Sequence, residues 1–164
     1  VLGDLIHGRI GLTIALRQKL QALPELLGCA LRLIDGNHER GSWLDGLPRE
    51  PASALGPLWL SHGPDPRSDH LNLCGHLHPV AMVGHGPDRL RLPCFAFRRR
   101  HQAANDKGQG DQLILPAFGD LTGGHLCSEA DGLWLVAEGA VVPWRTPGPT
   151  PAPPRPVDVG TPSW

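Results

Sequence analysis

The sequence predicts one α/β domain, and three observations carry that prediction. Short apolar runs closing on Gly- or His-bearing turns recur between positions 30 and 144 and read as strands. One early stretch, 10–23, places Ile10, Ile14, Leu16, Leu20 and Leu23 roughly at helical spacing. Strand and helix therefore alternate at first, and the later part is mostly strand. That order suits a sheet sandwich flanked by helices, and 164 residues suffice for one core but not comfortably for two.

The chain opens on Val1-Leu2-Gly3-Asp4, which reads as the last step of an apolar strand already under way. A domain over 1–145 that lacks its first strand is the expectation, because a buried strand seldom starts without neighbours. The helix 10–23 is expected to stop at Pro24, which lacks an N–H and crowds the preceding turn. A short strand over 30–34 ends in the turn Asp35-Gly36-Asn37, and the chain after Gly41 is loop-like to Pro57. Leu58-Trp59-Leu60 forms a strand that stops at Ser61-His62-Gly63-Pro64. The run 71–74 repeats that pattern and ends at Gly75-His76, and further strands are expected at 80–83, 95–97, 112–115, 133–136 and 141–144. From Thr146 onward Pro, Gly and Thr dominate, so 146–164 is expected to be a disordered, partly polyproline II tail.

Composition excludes several classes. Hydrophobic residues make up 40%, too many for a disordered chain, and no apolar run is long enough to span a bilayer. No secretory leader pattern opens the sequence. A net charge of -1 means that attraction for nucleic acid must come from a local patch. Cys29, Cys74, Cys94 and Cys127 are widely spaced with no C-x-x-C pair, which suits reduced thiols and a cytoplasmic location better than a disulfide framework.

The nine histidines are more informative, because several sit at strand ends, where sites are usually built. In Gly3-Asp4-Leu5-Ile6-His7 a carboxylate leaves a strand beside a glycine and can reach a cation unobstructed; Gly-Asp is also a common turn dipeptide. In Gly36-Asn37-His38-Glu39 the amide oxygen is a usable ligand for a hard or borderline metal, and the plainer alternative is a turn. Gly75-His76-Leu77-His78 places two imidazoles two residues apart, so in an extended segment both face one site. Ser61-His62-Gly63 adds a fourth strand-end histidine.

Taken in order, Gly-Asp-x-x-His, Gly-Asn-His-Glu, strand-end His and Gly-His-x-His resemble the later motifs of the calcineurin-like metallophosphoesterases. Leu92-Pro93-Cys94-Phe95-Ala96-Phe97 and Leu115-Pro116-Ala117-Phe118-Gly119-Asp120-Leu121-Thr122-Gly123-Gly124 look like the C-terminal signature of the ligase-associated DNA damage response endonucleases. The segment 98–112 is longer and more polar than that family's short link. The resemblance implies a sandwich of two β-sheets flanked by helices with a binuclear metal centre at strand ends. It implies metal ligands at Asp4, Asn37, His62 and His76 around one cation, with Asp4 bridging and His78 on the other. It implies His38 as the histidine that protonates the leaving oxygen or steadies the phosphate, with His7 and Arg40 as phosphate contacts.

The family's opening Asp-x-His has no counterpart here, so this chain is expected to hold one cation where the complete enzyme holds two. Mixed nitrogen and oxygen ligands suit Mn2+, with Fe and Zn2+ as alternatives. The implied activity is that of a phosphodiesterase or endonuclease cutting single-stranded DNA in DNA repair, by two-metal activation of water. A DNA ligase and a helicase are the implied partners. Two other readings stand beside it: a small-molecule or protein phosphatase of the same superfamily, and a catalytically silent subunit of a repair complex. Arg98-Arg99-Arg100-His101, near Phe95 and Phe97, reads either as a strand-tracking patch with stacking aromatics or as a solvated loop.

Overall fold

The computed structural model describes residues 1–6, 8, 12–39, 47–99, 110–119 and 122–144. The expected tail at 146–164 lies outside them. Helix α1 spans Ile14–Leu27, where Thr13 caps its start by accepting the Leu16 N–H on its hydroxyl at 3.2 Å. The helix runs through Pro24 rather than stopping at it. Its last turn closes instead on Gly28 at φ 63°, whose N–H reaches the Glu25 carbonyl while the Cys29 N–H reaches that of Pro24. Two satisfied carbonyls at a left-handed cap offset the bond that Pro24 cannot donate.

Strand β1 (Leu33–Ile34) pairs in parallel with β2 (Arg49–Glu50), and β3 (Ser53–Leu55) turns through Gly56 and Pro57 into β4 (Leu58–Ser61). Both β2 and β3 fall in the stretch expected to be loop. Strands of two and three residues are too short to show a period of two. Val1 does find a neighbour: its terminal amine donates to Arg32 O at 2.8 Å and its carbonyl accepts from Ile34 N at 2.9 Å. Leu5, Ile6, Leu12 and Leu20 pack on buried Leu33, which seats α1 against β1.

The remaining strands are β5 (Leu71–Cys74), β6 (Pro79–Val83), β7 (Leu90–Arg98), β8 (Gln112–Ile114), β9 (His125–Leu126), β10 (Gly132–Ala137) and β11 (Ala140–Trp144). They join β3 and β4 in one mixed sheet of order β11-β10-β7-β8-β5-β4-β3, with β6 and β9 off that path. Strand β7 serves two ladders. Its residues Leu90 to Pro93 pair with β6, Cys94 to Phe97 pair with β10, and Ala96 to Arg98 pair with β8. Pro93, with no N–H to give, stands where the first ladder ends. Cys74, Ala81, Cys94, Ala96, Ile114, Leu133 and Leu135 form the buried core beneath this changeover.

Strands β4, β5 and β8 run parallel, so the segments beginning at His62, Gly75 and Leu115 all leave the same end of the sheet. The architecture is a mixed α/β one with a large sheet and, among the described residues, one α-helix. None of the described helices is long and apolar enough to cross a membrane.

Candidate metal centre

Close backbone approach makes the site. Gly3 lies at φ 86°, where a Cβ would strike the His62 ring and the Gly36 backbone. A Cβ on Gly36 would in turn strike the Asp4 carboxylate, so both positions require glycine. Asp4, His76 and His78 adopt left-handed φ values of 51°, 61° and 45°. Of the four described non-glycine residues in that region, these three sit at one site, and the fourth, Glu138, is in the β10–β11 turn. Strain of that kind persists only where surrounding bonds enforce it.

Glu39 supplies much of that enforcement. The residue is 2% exposed, and its carboxylate accepts from the backbone N–H groups of Asp4 (2.8 Å), Gly36 (2.8 Å) and Leu5 (2.6 Å). Arg49 of β2 donates to the Glu39 carbonyl, so the strand hidden in the expected loop braces the turn. Nothing in the spacing of Glu39 marked this role, since its partners are backbone amides that only the fold brings together.

The donor atoms converge on His62. Its Nδ1 lies 2.8 Å from the Leu2 carbonyl, an oxygen that can only accept, so Nδ1 carries the proton and Nε2 presents a lone pair. That lone pair faces Asn37 Oδ1 at 2.9 Å, His76 Nδ1 at 2.9 Å and Asp4 Oδ2 at 3.3 Å. Ligand atoms of Asp4, His62 and His76 all lie within 4.8 Å of one another. Adjacent ligands on bonds of about 2.1 Å stand roughly 3.0 Å apart in an octahedron and 3.4 Å in a tetrahedron. A carboxylate oxygen, an amide oxygen and an imidazole lone pair crowded together repel unless a cation sits among them, and mixed N/O donors suit a borderline divalent metal. The residues fit such an ion.

The other expected residues distribute around this cluster. The His38 N–H donates to Asp4 Oδ1 at 3.0 Å, while its ring Nε2 lies 3.9 Å from Asp4 Oδ2, beside the cluster rather than in it. His78 is not among the clustered ligand atoms. Burial lowers its pKa, a hydrogen bond to the Gly123 backbone opposes that shift, and both His76 and Asp4 act on its charge. His7 and Arg40 lie outside the described residues, as do Arg100 and His101.

Arg98 and Arg99, which read from the sequence either as a strand-tracking patch or as a solvated loop, lie away from the site. Strand β7 is antiparallel to β8, with Arg98 opposite Gln112, so both arginines occupy the end of the sheet away from His62 and His76. The Arg99 N–H is held by Asp131 at 2.6 Å. Phe95 and Phe97 are partly buried in β7, whereas Phe118 is fully exposed on the segment that leaves β8 toward the site.

No family model matches the chain, and no curated protein sequence matches it. Among solved structures, the crystal structure of the Pseudomonas putida nuclease MPE is similar, with 32% sequence identity and a TM-score of 0.65. The match covers 87% of this chain and 68% of that one.

Proposed function

The chain belongs to the family of the nuclease MPE, and from that premise we propose that it is a metal-dependent phosphodiesterase that cuts nucleic acid. The observation that carries the proposal is the convergence of Asp4, Asn37, His62 and His76 on one point at the carboxyl ends of β4 and β5. Those four side chains would hold one divalent cation, for which Mn2+ is the candidate, and His78 with Asp4 would face a second. A cation so bound supplies positive charge to a phosphate and acidity to water.

The chain's own residues do the rest. Asp4 keeps one oxygen on the His38 amide and turns the other to the cluster, so the ligating oxygen is preset. His62 is locked in the Nδ1–H tautomer by Leu2 and stays available as a ligand. The His38 ring stands close enough to the cluster to hand a proton to a leaving oxygen, the role proposed for it. His7 and Arg40 are proposed as phosphate contacts on the motif resemblance alone.

Single-stranded DNA is the proposed substrate. The support is Phe118, whose exposed ring on the site side of the sheet offers a face for a base. A place in DNA repair beside a ligase and a helicase rests on the motif resemblance. The test is Mn2+-dependent incision of a single-stranded oligonucleotide set against hydrolysis of a chromogenic phosphomonoester. Incision abolished by a chelator and restored by Mn2+ is expected; turnover of the monoester without incision would replace the nuclease reading with a phosphatase.

A further inference from the structure

Asn72 is wholly buried in β5, on the face that also carries the core residue Cys74. A carboxamide there must satisfy every hydrogen-bonding valence or destabilise the sheet. It does so. Its Oδ1 accepts from the Asp65 backbone N–H at 3.0 Å and from Gln112 Nε2 at 2.8 Å. Its Nδ2 donates to the Trp59 carbonyl at 3.1 Å and to Ser61 Oγ at 2.8 Å.

The orientation of this amide is forced. A backbone N–H only donates, so the oxygen end must face Asp65 and the nitrogen end must face Ser61. Ser61, itself 3% exposed, then passes its own proton to the Gly63 carbonyl at 2.7 Å. Ser61 and Gly63 are the two chain neighbours of His62. One buried side chain therefore grips the turn at 61 through the Ser61 relay and again at Asp65. Between those grips stands the imidazole on which the donor cluster converges, while the His62 carbonyl accepts from Gly75 N at 2.9 Å and ties in the loop of His76.

We infer that Asn72 is a positioning residue for the metal centre, acting through Ser61 to aim His62. This rests on the reading of Asp4, Asn37, His62 and His76 as cation ligands. A polar network confined to sheet stability would not need its proton chain to end on the residue next to a ligand. Here the direction is set, from Asn72 through Ser61 to Gly63.

Three variants separate that role from a structural one, each titrated calorimetrically with MnCl2 and melted thermally. Asn72→Asp keeps the shape and both accepting bonds but removes the donor to Ser61, so the serine proton is drawn back from Gly63. Ser61→Ala removes the relay alone. Each should weaken the Mn2+ Kd by about 10–100-fold, the usual effect of losing a partner that orients a ligand. The double variant should be no weaker than the worse single one, because both cut the same chain. Gln112→Leu breaks the network at its far end and should lower the melting temperature while leaving the Mn2+ Kd unmoved.

If Asn72→Asp does not fold, Ser61→Ala against Gln112→Leu carries the comparison. Folded Ser61→Ala with wild-type Mn2+ affinity would overturn the inference, as would an equal affinity loss in Gln112→Leu. Wild-type protein that binds no Mn2+ would overturn the metal-centre reading itself, a different result from wild-type binding that the variants share.

Discussion

The two ends of the parallel strands β4, β5 and β8 are built on opposite principles. At the carboxyl ends, lone pairs from Asp4, Asn37 and His62 face one another, and three non-glycine residues hold left-handed backbone angles. At the amino ends the polar groups are mostly paired. Asp65 accepts from Trp59 Nε1 at 2.8 Å and from Arg67 at 2.9 Å, with the Arg67 guanidinium 4.6 Å from the Trp59 ring centre. These contacts hold the Asp65 carboxyl below the usual range, chiefly through the Trp59 bond. Asp131 accepts from the Arg99 backbone N–H, whereas the buried Arg98 Nε has no hydrogen-bond partner among the described residues. The lesson is that charge alone does not locate function. At the amino end Arg67 is tied to Asp65 and Trp59, while the carboxyl end carries the strain and the facing lone pairs that suit a cation.

The largest expected effect breaks the carboxyl end directly. Asp4→Asn and His76→Ala should each abolish measurable Mn2+ binding by calorimetry, and should slow oligonucleotide cleavage by at least about 100-fold, because the cation's charge is worth several kcal/mol to the reaction. Unchanged affinity in both would remove the site from this end of the sheet.

His38→Ala should keep full metal content by elemental analysis while lowering turnover by about 10²–10⁴-fold, the usual contribution of a general acid. Metal loss in step with rate would make His38 a ligand instead.

Glu39→Gln should cost about 1–3 kcal/mol in denaturant unfolding, since a charged acceptor of backbone amides is replaced by a group whose NH2 faces N–H donors. Wild-type stability there would show that the Asp4 turn is held by other bonds.

The smallest effect sharpens the contrast between ends. Phe118→Ala should weaken single-stranded DNA binding by about 5–100-fold in fluorescence polarisation, the equivalent of one lost stacking contact. Arg98→Ala combined with Arg99→Ala should leave the salt dependence of binding unchanged, whereas true phosphate contacts would flatten it by about 0.7 per contact.

Much of this was legible in the residues. The runs ending at His62 and Cys74 showed as strands because an apolar stretch stops abruptly at a Gly-flanked histidine. Three of the four clustered donors came from those strand ends and from Asp4, and the fourth, Asn37, from the turn after β1. The brace at β2 was hidden because two paired residues have no periodicity. Glu39 and Asn72 were hidden for a shared reason: each acts on amides or hydroxyls that are neighbours only after folding. Pro24 misled because the Gly28 cap outweighs one missing bond. The two readings of the basic run could not be told apart, because sequence adjacency to Phe95 and Phe97 says nothing about which end of the sheet an arginine reaches.

The double use of β7 has a consequence for how the molecule comes apart. Its amides near Ala96 are bonded to β10 on one side and β8 on the other, and its leading half carries β6. No neighbouring strand can leave without exposing an edge of β7, so the outer hairpin and the histidine-bearing strands share one cooperative unit. Hydrogen exchange should be slowest across Cys94 to Phe97, and should report a single global opening there rather than a frayed edge.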